Sequence, residues 1–197
     1  MDLTRKMSVD ILSAFDTSND RLPAIIDKYI KKYEVSISQK KRSKATVNEI
    51  IRYRGIIDHI IEESSSRKMR NIQPRLKSIL RLGCYDLLFD EIIPDFAAIH
   101  SSVELGKNLM NKKSGSMVNA VLRNMQRKKD SDPAWLKTIK ENNIELSFPN
   151  WLVKKWKKQF GGTNTKKLCK SYLKKSPMFL RVDTNQLSLK KAISLLN

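Results

Sequence analysis

A chain of 197 residues suffices for one ordinary domain plus a smaller second one, and 40% hydrophobic residues with a mean hydropathy of −0.47 exclude both a disordered polymer and a membrane-embedded protein. Lys and Arg outnumber Asp and Glu by 39 to 20, a net charge of +19 that points to a polyanionic partner, nucleic acid ahead of a membrane surface. No apolar run reaches the roughly 20 residues needed to span a bilayer, and Asp2, Arg5, Lys6 and Asp10 stand where a signal peptide would need an apolar core, so no membrane partner and a cytoplasmic location are expected.

Leu3, Met7, Ile11, Leu12 and Phe15 recur at helical spacing and predict a first helix from about Thr4 to Phe15, with Arg5 and Lys6 near its exposed start. The polar stretch Asp16 to Asp20 ends it. A second helix carries Leu22, Ile25, Ile26, Tyr29, Ile30 and Tyr33, and Gln39 to Lys44 (QKKRSK) reads as a basic loop. A long third helix is expected from near Ala45 to a break at Glu63 to Ser66, with Arg52 and Arg54 among its polar positions. Pro74 opens a fourth that is apolar nearly all round, and therefore central.

The stretch from Ile92 to Met125 is the one around which the rest of the chain is arranged. Pro94 can open a helix of about four turns bearing Ala98, Ile99, Val103 and Leu109. Asn111 to Ser116 (NKKSGS) reads as a turn, and Met117, Val118, Val121, Leu122 and Met125 mark the face of another helix. Neither face of such a hairpin can bury itself alone, so residues 1–130 read as an all-α bundle of six or so helices.

Lys128 to Pro133 is polar, ends in a proline and is the expected boundary between residues 1–130 and a connector at 131–197. The connector is the more basic per residue, with 14 Lys and Arg against 4 Asp and Glu, where residues 1–130 hold 25 against 16. Short helices are expected at Trp135 to Asn142, at Phe148 to Phe160 with Gly161 and Gly162 as the stop, and at Lys166 to Lys175. Trp151, Leu152 and Trp156 would anchor the second of these in the core. Met178 to Val182 is a strand candidate, and Ser188 caps a last helix, Leu189 to Leu196. One strand with one helix makes no sheet, so this small α/β unit reads as truncated, or as packed on the bundle.

Cys84 and Cys169 are far apart, with no CxxC spacing or nearby histidine. They are expected to be reduced thiols, Cys84 in the core, with neither zinc nor a disulfide. His59 and His100 fall on different helices and suggest no metal or catalytic role.

Ile93-Pro94-Asp95-Phe96-Ala97-Ala98-Ile99 with Val103-Glu104-Leu105, followed by Met117-Val118-Asn119-Ala120-Val121-Leu122-Arg123, resembles the signature of NusB-like RNA-binding domains. Glu49 to Asp58 and Arg75 to Leu88 resemble the third and fourth helices of the version fused to the ribosomal RNA small-subunit methyltransferase B family. Ser147 to Gly161 and Pro177 to Thr184 are similar to that family's connecting region. The resemblance implies a NusB-like helical domain that holds RNA, with 16S ribosomal RNA as partner, for a domain that methylates cytosine carbon 5 using S-adenosylmethionine. It implies equally that this chemistry lies outside residues 1–197. The six glycines form no cofactor loop, and neither cysteine stands in a Pro-Cys or Thr-Cys context. No catalytic, cofactor-binding or metal-binding residue is therefore expected here.

Arg5 and Lys6 resemble the basic amino-terminal patch that NusB proteins use for RNA, and Arg42 and Lys44 extend the same reasoning. Arg52 and Arg54 point to different sides of one helix, so at most one faces RNA. Lys154, Lys155, Lys157 and Lys158, interleaved with Trp151 and Trp156, form a possible RNA-facing ridge. Asn119 and Arg123 are expected to be structural, Arg123 pairing with a carboxylate such as Glu104. The competing function is a stand-alone NusB-like factor in transcription antitermination or ribosome assembly.

Overall fold

Capping side chains decide where the helices begin in the computed structural model, which describes residues 2–174 and 179–196. Asp2 opens α1 (Leu3–Thr17), its carboxylate accepting the Thr4 N–H at 2.8 Å. Pro23 lies in the first turn of α2 (Leu22–Lys32). Ser36 and Gln39 cap each other's backbone at the start of α3 (Ile37–Arg52), so Gln39 to Lys44, expected as a loop, is helical. Its long unbranched side chains suit a helix, and the reciprocal cap supplies the start.

The expected long third helix is in fact two. Tyr53 (φ −97°, ψ 13°) separates α3 from α4 (Arg54–Ser65). Close by, the backbone of residues 146–147 presses on Gly55, where an added Cβ would lie 1.8 Å from the Leu146 carbonyl oxygen. After a 3₁₀ turn at Met69–Asn71 come α5 (Pro74–Leu88), α6 (Asp95–Leu109) and α7 (Lys112–Ser131). The turn expected at Asn111 to Ser116 shrinks to Met110 and Asn111, because the Asn111 side chain accepts the Ser114 N–H at 2.9 Å and starts α7 at once. Gly115 is a packing residue instead: a Cβ on Gly106 of α6 would meet its Cα at 3.1 Å.

Beyond the bundle lie α8 (Trp135–Asn142), a 3₁₀ turn at Ile144–Ser147, α9 (Asn150–Leu173) and α10 (Leu189–Leu196). Gly161 takes a positive φ (φ 77°, ψ 164°) that breaks α9 where the sequence placed a stop, and residues 162–173 form its second half, which starts ahead of the expected Lys166. Lys175 and Met178 lie outside the described residues. The expected strand is not found: residues 179–182 have no partner strand, and no strand occurs among the described residues. An extended segment cannot satisfy a ladder alone.

Helix α5 is the hub, with 11 of its 15 residues buried against α1, α4, α6 and α7. Met7, Ile11, Ile57, Ile60, Val118 and Leu122 close around it, and Ile139, Ile144, Cys169 and Leu173 join the same apolar cluster. The Tyr53 hydroxyl donates to the Leu173 carbonyl at 3.1 Å, so the helices after residue 131 rest on the bundle.

Arg81 and Asp86, the two fully buried charged side chains among the described residues, are both paired. Arg81, 2% exposed, donates Nε and Nη2 to Asp58 at 2.7 and 2.9 Å and Nη1 to Asp16 at 2.6 Å. Arg54 Nη2 approaches the other Asp16 oxygen at 2.9 Å. Arg5 of α1 pairs with Asp86 of α5 and donates to Ser102 of α6 at 2.9 Å.

Replacing Arg81 with Met is expected to cost about 3–5 kcal/mol in urea unfolding, because Asp16 and Asp58 lose the buried guanidinium they share and keep only the half-exposed Arg54. Adding Asp16→Asn and Asp58→Asn should restore much of it. Burial pushes the Asp86 carboxyl up to about 6 against the opposing pull of Arg5. Its folded value lies above its unfolded value, so the fold binds the extra proton, and this contribution is present at pH 4 and lost as pH rises through 6. The stability of Asp86→Asn relative to the native chain should therefore improve by about 2–3 kcal/mol between pH 4 and 7, read from urea midpoints along the pH series.

Candidate nucleic-acid interface

Helices α1 and α3 converge on a cleft of about 280 Å³ lined by Arg5 and Arg42, with Asp2, Gln39, Thr46 and Asp86 beside them. Two of the arginines singled out in the sequence thus share one site. Arg42 is exposed, and Lys44 is exposed on the same helix. Lys6 lies 6.0 Å from the centre of the Tyr33 ring. Arg5 is more internal than expected: both terminal nitrogens are held by Asp86 and Ser102, while its buried Nε has no hydrogen-bond partner among the described residues. It shapes the cleft floor, and Arg42 supplies the accessible charge.

Arg52 and Arg54 flank the α3–α4 break and are both engaged. Arg52 pairs with Glu49, and Arg54 pairs with Asp16 while lying 5.9 Å from the Phe15 ring centre. On the first half of α9, Lys154, Lys155 and Lys158 are exposed, whereas Lys157 binds Glu145 at 2.5 Å. Trp156 packs as expected, stacked on Tyr172 at 5.7 Å and edge-on to Phe148. Trp151 does not. It is 67% exposed, and Val153 takes the buried position. Arg123 bonds Gln126 at 2.9 Å rather than Glu104, which pairs with Lys107, and Asn119 is exposed.

Sequence reading missed a larger feature. A cleft of about 720 Å³ between α4, α8 and the second half of α9 is lined by Lys137, Lys140, Lys166, Lys167, Lys170 and Lys174, with Glu141 the one carboxylate among the lining residues. Part of the signal was present in the spacing of Lys166 and Lys170, one turn apart on one helical face. What the sequence could not give was α8 lying opposite.

The α4–α8–α9 cleft does not suit S-adenosylmethionine, whose sulfonium is a cation that its lysine-lined wall repels. Burial pushes the Cys84 and Cys169 thiols above the ordinary thiol range, so neither is poised as a nucleophile. The arrangement can neutralise phosphates.

Comparison with known proteins finds two families along the chain. Residues 2–127 match the NusB family, and residues 148–197 match a family described as the Methyltr_RsmF/B-like, ferredoxin-like domain. The probable ribosomal RNA small subunit methyltransferase B of Bacillus subtilis is 29% identical over 95% of this chain and 42% of its own length. Its counterpart in Synechocystis is 25% identical over 98% of this chain and 44% of its own length. The transcription antitermination protein NusB of Aliarcobacter butzleri is 28% identical over 60% of this chain and 90% of its own length. The chain thus spans less than half the length of the two methyltransferase relatives. With its helical bundle matched over residues 2–127 and the connector match following it, the chain belongs to the NusB family, in the form found in the amino-terminal region of ribosomal RNA small subunit methyltransferase B.

Proposed function

We propose that this chain is the RNA-holding portion of a cytoplasmic 16S ribosomal RNA cytosine-C5 methyltransferase of the B type. Methyl transfer from S-adenosylmethionine then belongs to a domain in cis outside residues 1–197. The observation that carries this reading is the presence of both family matches in one chain, at 2–127 and 148–197. A free-standing NusB protein accounts for the first and not the second. The alternative, a binding factor in antitermination or ribosome assembly, draws on the NusB family match over residues 2–127 and the similarity to a NusB protein over 119 residues.

In this role the chain's residues position rather than react. Arg42 and Lys44 on α3, Lys6 on α1 and Lys154, Lys155 and Lys158 on α9 meet phosphates, and each phosphate neutralised releases condensed counterions. Arg52, Arg54 and Lys157, already paired with carboxylates, contribute less.

Binding to a 16S ribosomal RNA fragment, measured by filter retention, is expected to weaken on the order of 10²–10³-fold between 50 and 200 mM salt, as about six single-strand phosphate contacts require. Arg42→Gln with Lys44→Gln should lower the salt slope by about 1–1.5. Flat affinity across that range overturns the reading. A glycine-rich strand-turn-helix with a Pro-Cys motif in the reading frame after Asn197 decides for the enzyme over the alternative.

A further inference from the structure

We infer that the lysine-lined cleft between α4, α8 and the second half of α9 is a channel for the backbone of single-stranded RNA, distinct from the α1–α3 site. The inference rests on the RNA-binding reading above and names a second place where the polymer is held.

The first argument is electrostatic. Lys166 and Lys170 stand one turn apart on α9, Lys174 follows just past its end, and Lys137 and Lys140 line the cleft from α8. Like charges at this helical spacing oppose one another, and bringing two such rows to one cleft adds to the opposition. None of the six lysines has an ion-pair partner among the described residues, although five other lysines do. Burial holds the Lys140 amine below the usual lysine range, with Nζ 4.1 Å from the Phe89 ring centre. A fold that gathers six lysines and one carboxylate beside an apolar wall carries an unmet demand for an anion, and such a cleft focuses the field that attracts one.

The second argument is the wall itself. Tyr53, Ile56, Leu136, Ile144 and Leu173 line the same cleft, giving an apolar surface beside the ammonium groups. A free phosphate has no use for it, whereas the base faces of an unpaired strand do. A duplex keeps its bases stacked inside and presents only phosphates and grooves. The cations are all lysines, compact point charges without the fork that arginine uses on a base edge. The channel therefore tracks the strand without reading its sequence and complements the arginine-bearing α1–α3 site.

The test uses the whole chain, a fluorescent 12-nucleotide oligouridylate, a 12-base-pair RNA duplex and a polyglutamate of matched charge. Lys137, Lys166 and Lys170 are exposed and make no bond that holds the fold, so Lys137→Gln/Lys166→Gln/Lys170→Gln should keep the native circular dichroism and urea midpoint. The triple variant should lower the salt slope for the single strand by about 2 and weaken binding on the order of 10–100-fold at 100 mM salt. Lys28→Gln/Lys31→Gln/Lys112→Gln, the same loss of charge at exposed positions elsewhere, should leave the slope within about half a unit. Equal losses in both variants would overturn the channel and leave the proposed function standing. No salt-dependent RNA binding by the native chain would overturn both. A polyglutamate that binds as tightly as RNA and loses the same slope would assign the cleft to an acidic protein, against the channel. A loss as large for the duplex as for the single strand would also count against it.

Discussion

The buried guanidinium of Arg81 is the constraint on which the bundle depends. Helix α5 is enclosed on nearly every side, and apolar packing alone tolerates several registers of a helix among its neighbours. Charges do not, because an unpaired ion in such an interior is far more costly than a misfitted methyl group. Arg81 reaches Asp58 on α4 and Asp16 at the end of α1, Asp86 takes Arg5 from the start of α1, and Ser78 receives the Ser13 hydroxyl at 3.0 Å. Helix α1 is thus fastened to α5 at both ends and in the middle. The same fastening removes Arg5 and Arg54 from the supply of free surface cations.

Helical periodicity made most of the bundle legible. The apolar stripes of α1, α2, α5 and the α6–α7 hairpin each describe a face that the structure buries, and the all-round apolar character of α5 marked it as central. Errors arose where polarity was taken for irregularity. Gln39 to Lys44 is charged because it faces water, not because it is a loop, and the cap at Ser36 was the sign to weigh. Gly115 is a contact between helices, not a turn. The break at Tyr53 has only Gly55 near it as a local sign, and it lies where a segment some 90 residues away comes to rest beside that glycine. The strand expected at Met178 to Val182 rested on β-propensity, and its described part, residues 179–182, has no neighbour to pair with among the described residues.

Function was legible in a different proportion. Net charge pointed to a polyanion without knowledge of the fold, but the identity of the free charges was hidden. Arg5, Arg52, Arg54 and Lys157 look alike in sequence to Arg42 and Lys154, and only their carboxylate partners tell them apart. The cleft between α8 and α9 was harder still. Its lysines come from two helices separated by the 3₁₀ turn at Ile144–Ser147, and no pattern along the chain announces that they line the same space.

Gly55 has a practical consequence for recombination between relatives. Its missing side chain is a keyhole cut to the carbonyl of Leu146, so the bundle and its connector are matched parts. A chimera that joins this bundle to another protein's connector, or the reverse, has to carry position 55 together with residues 144–147 as one cassette. A crossover made at the polar stretch near residue 130, which looks the natural seam on paper, splits lock from key.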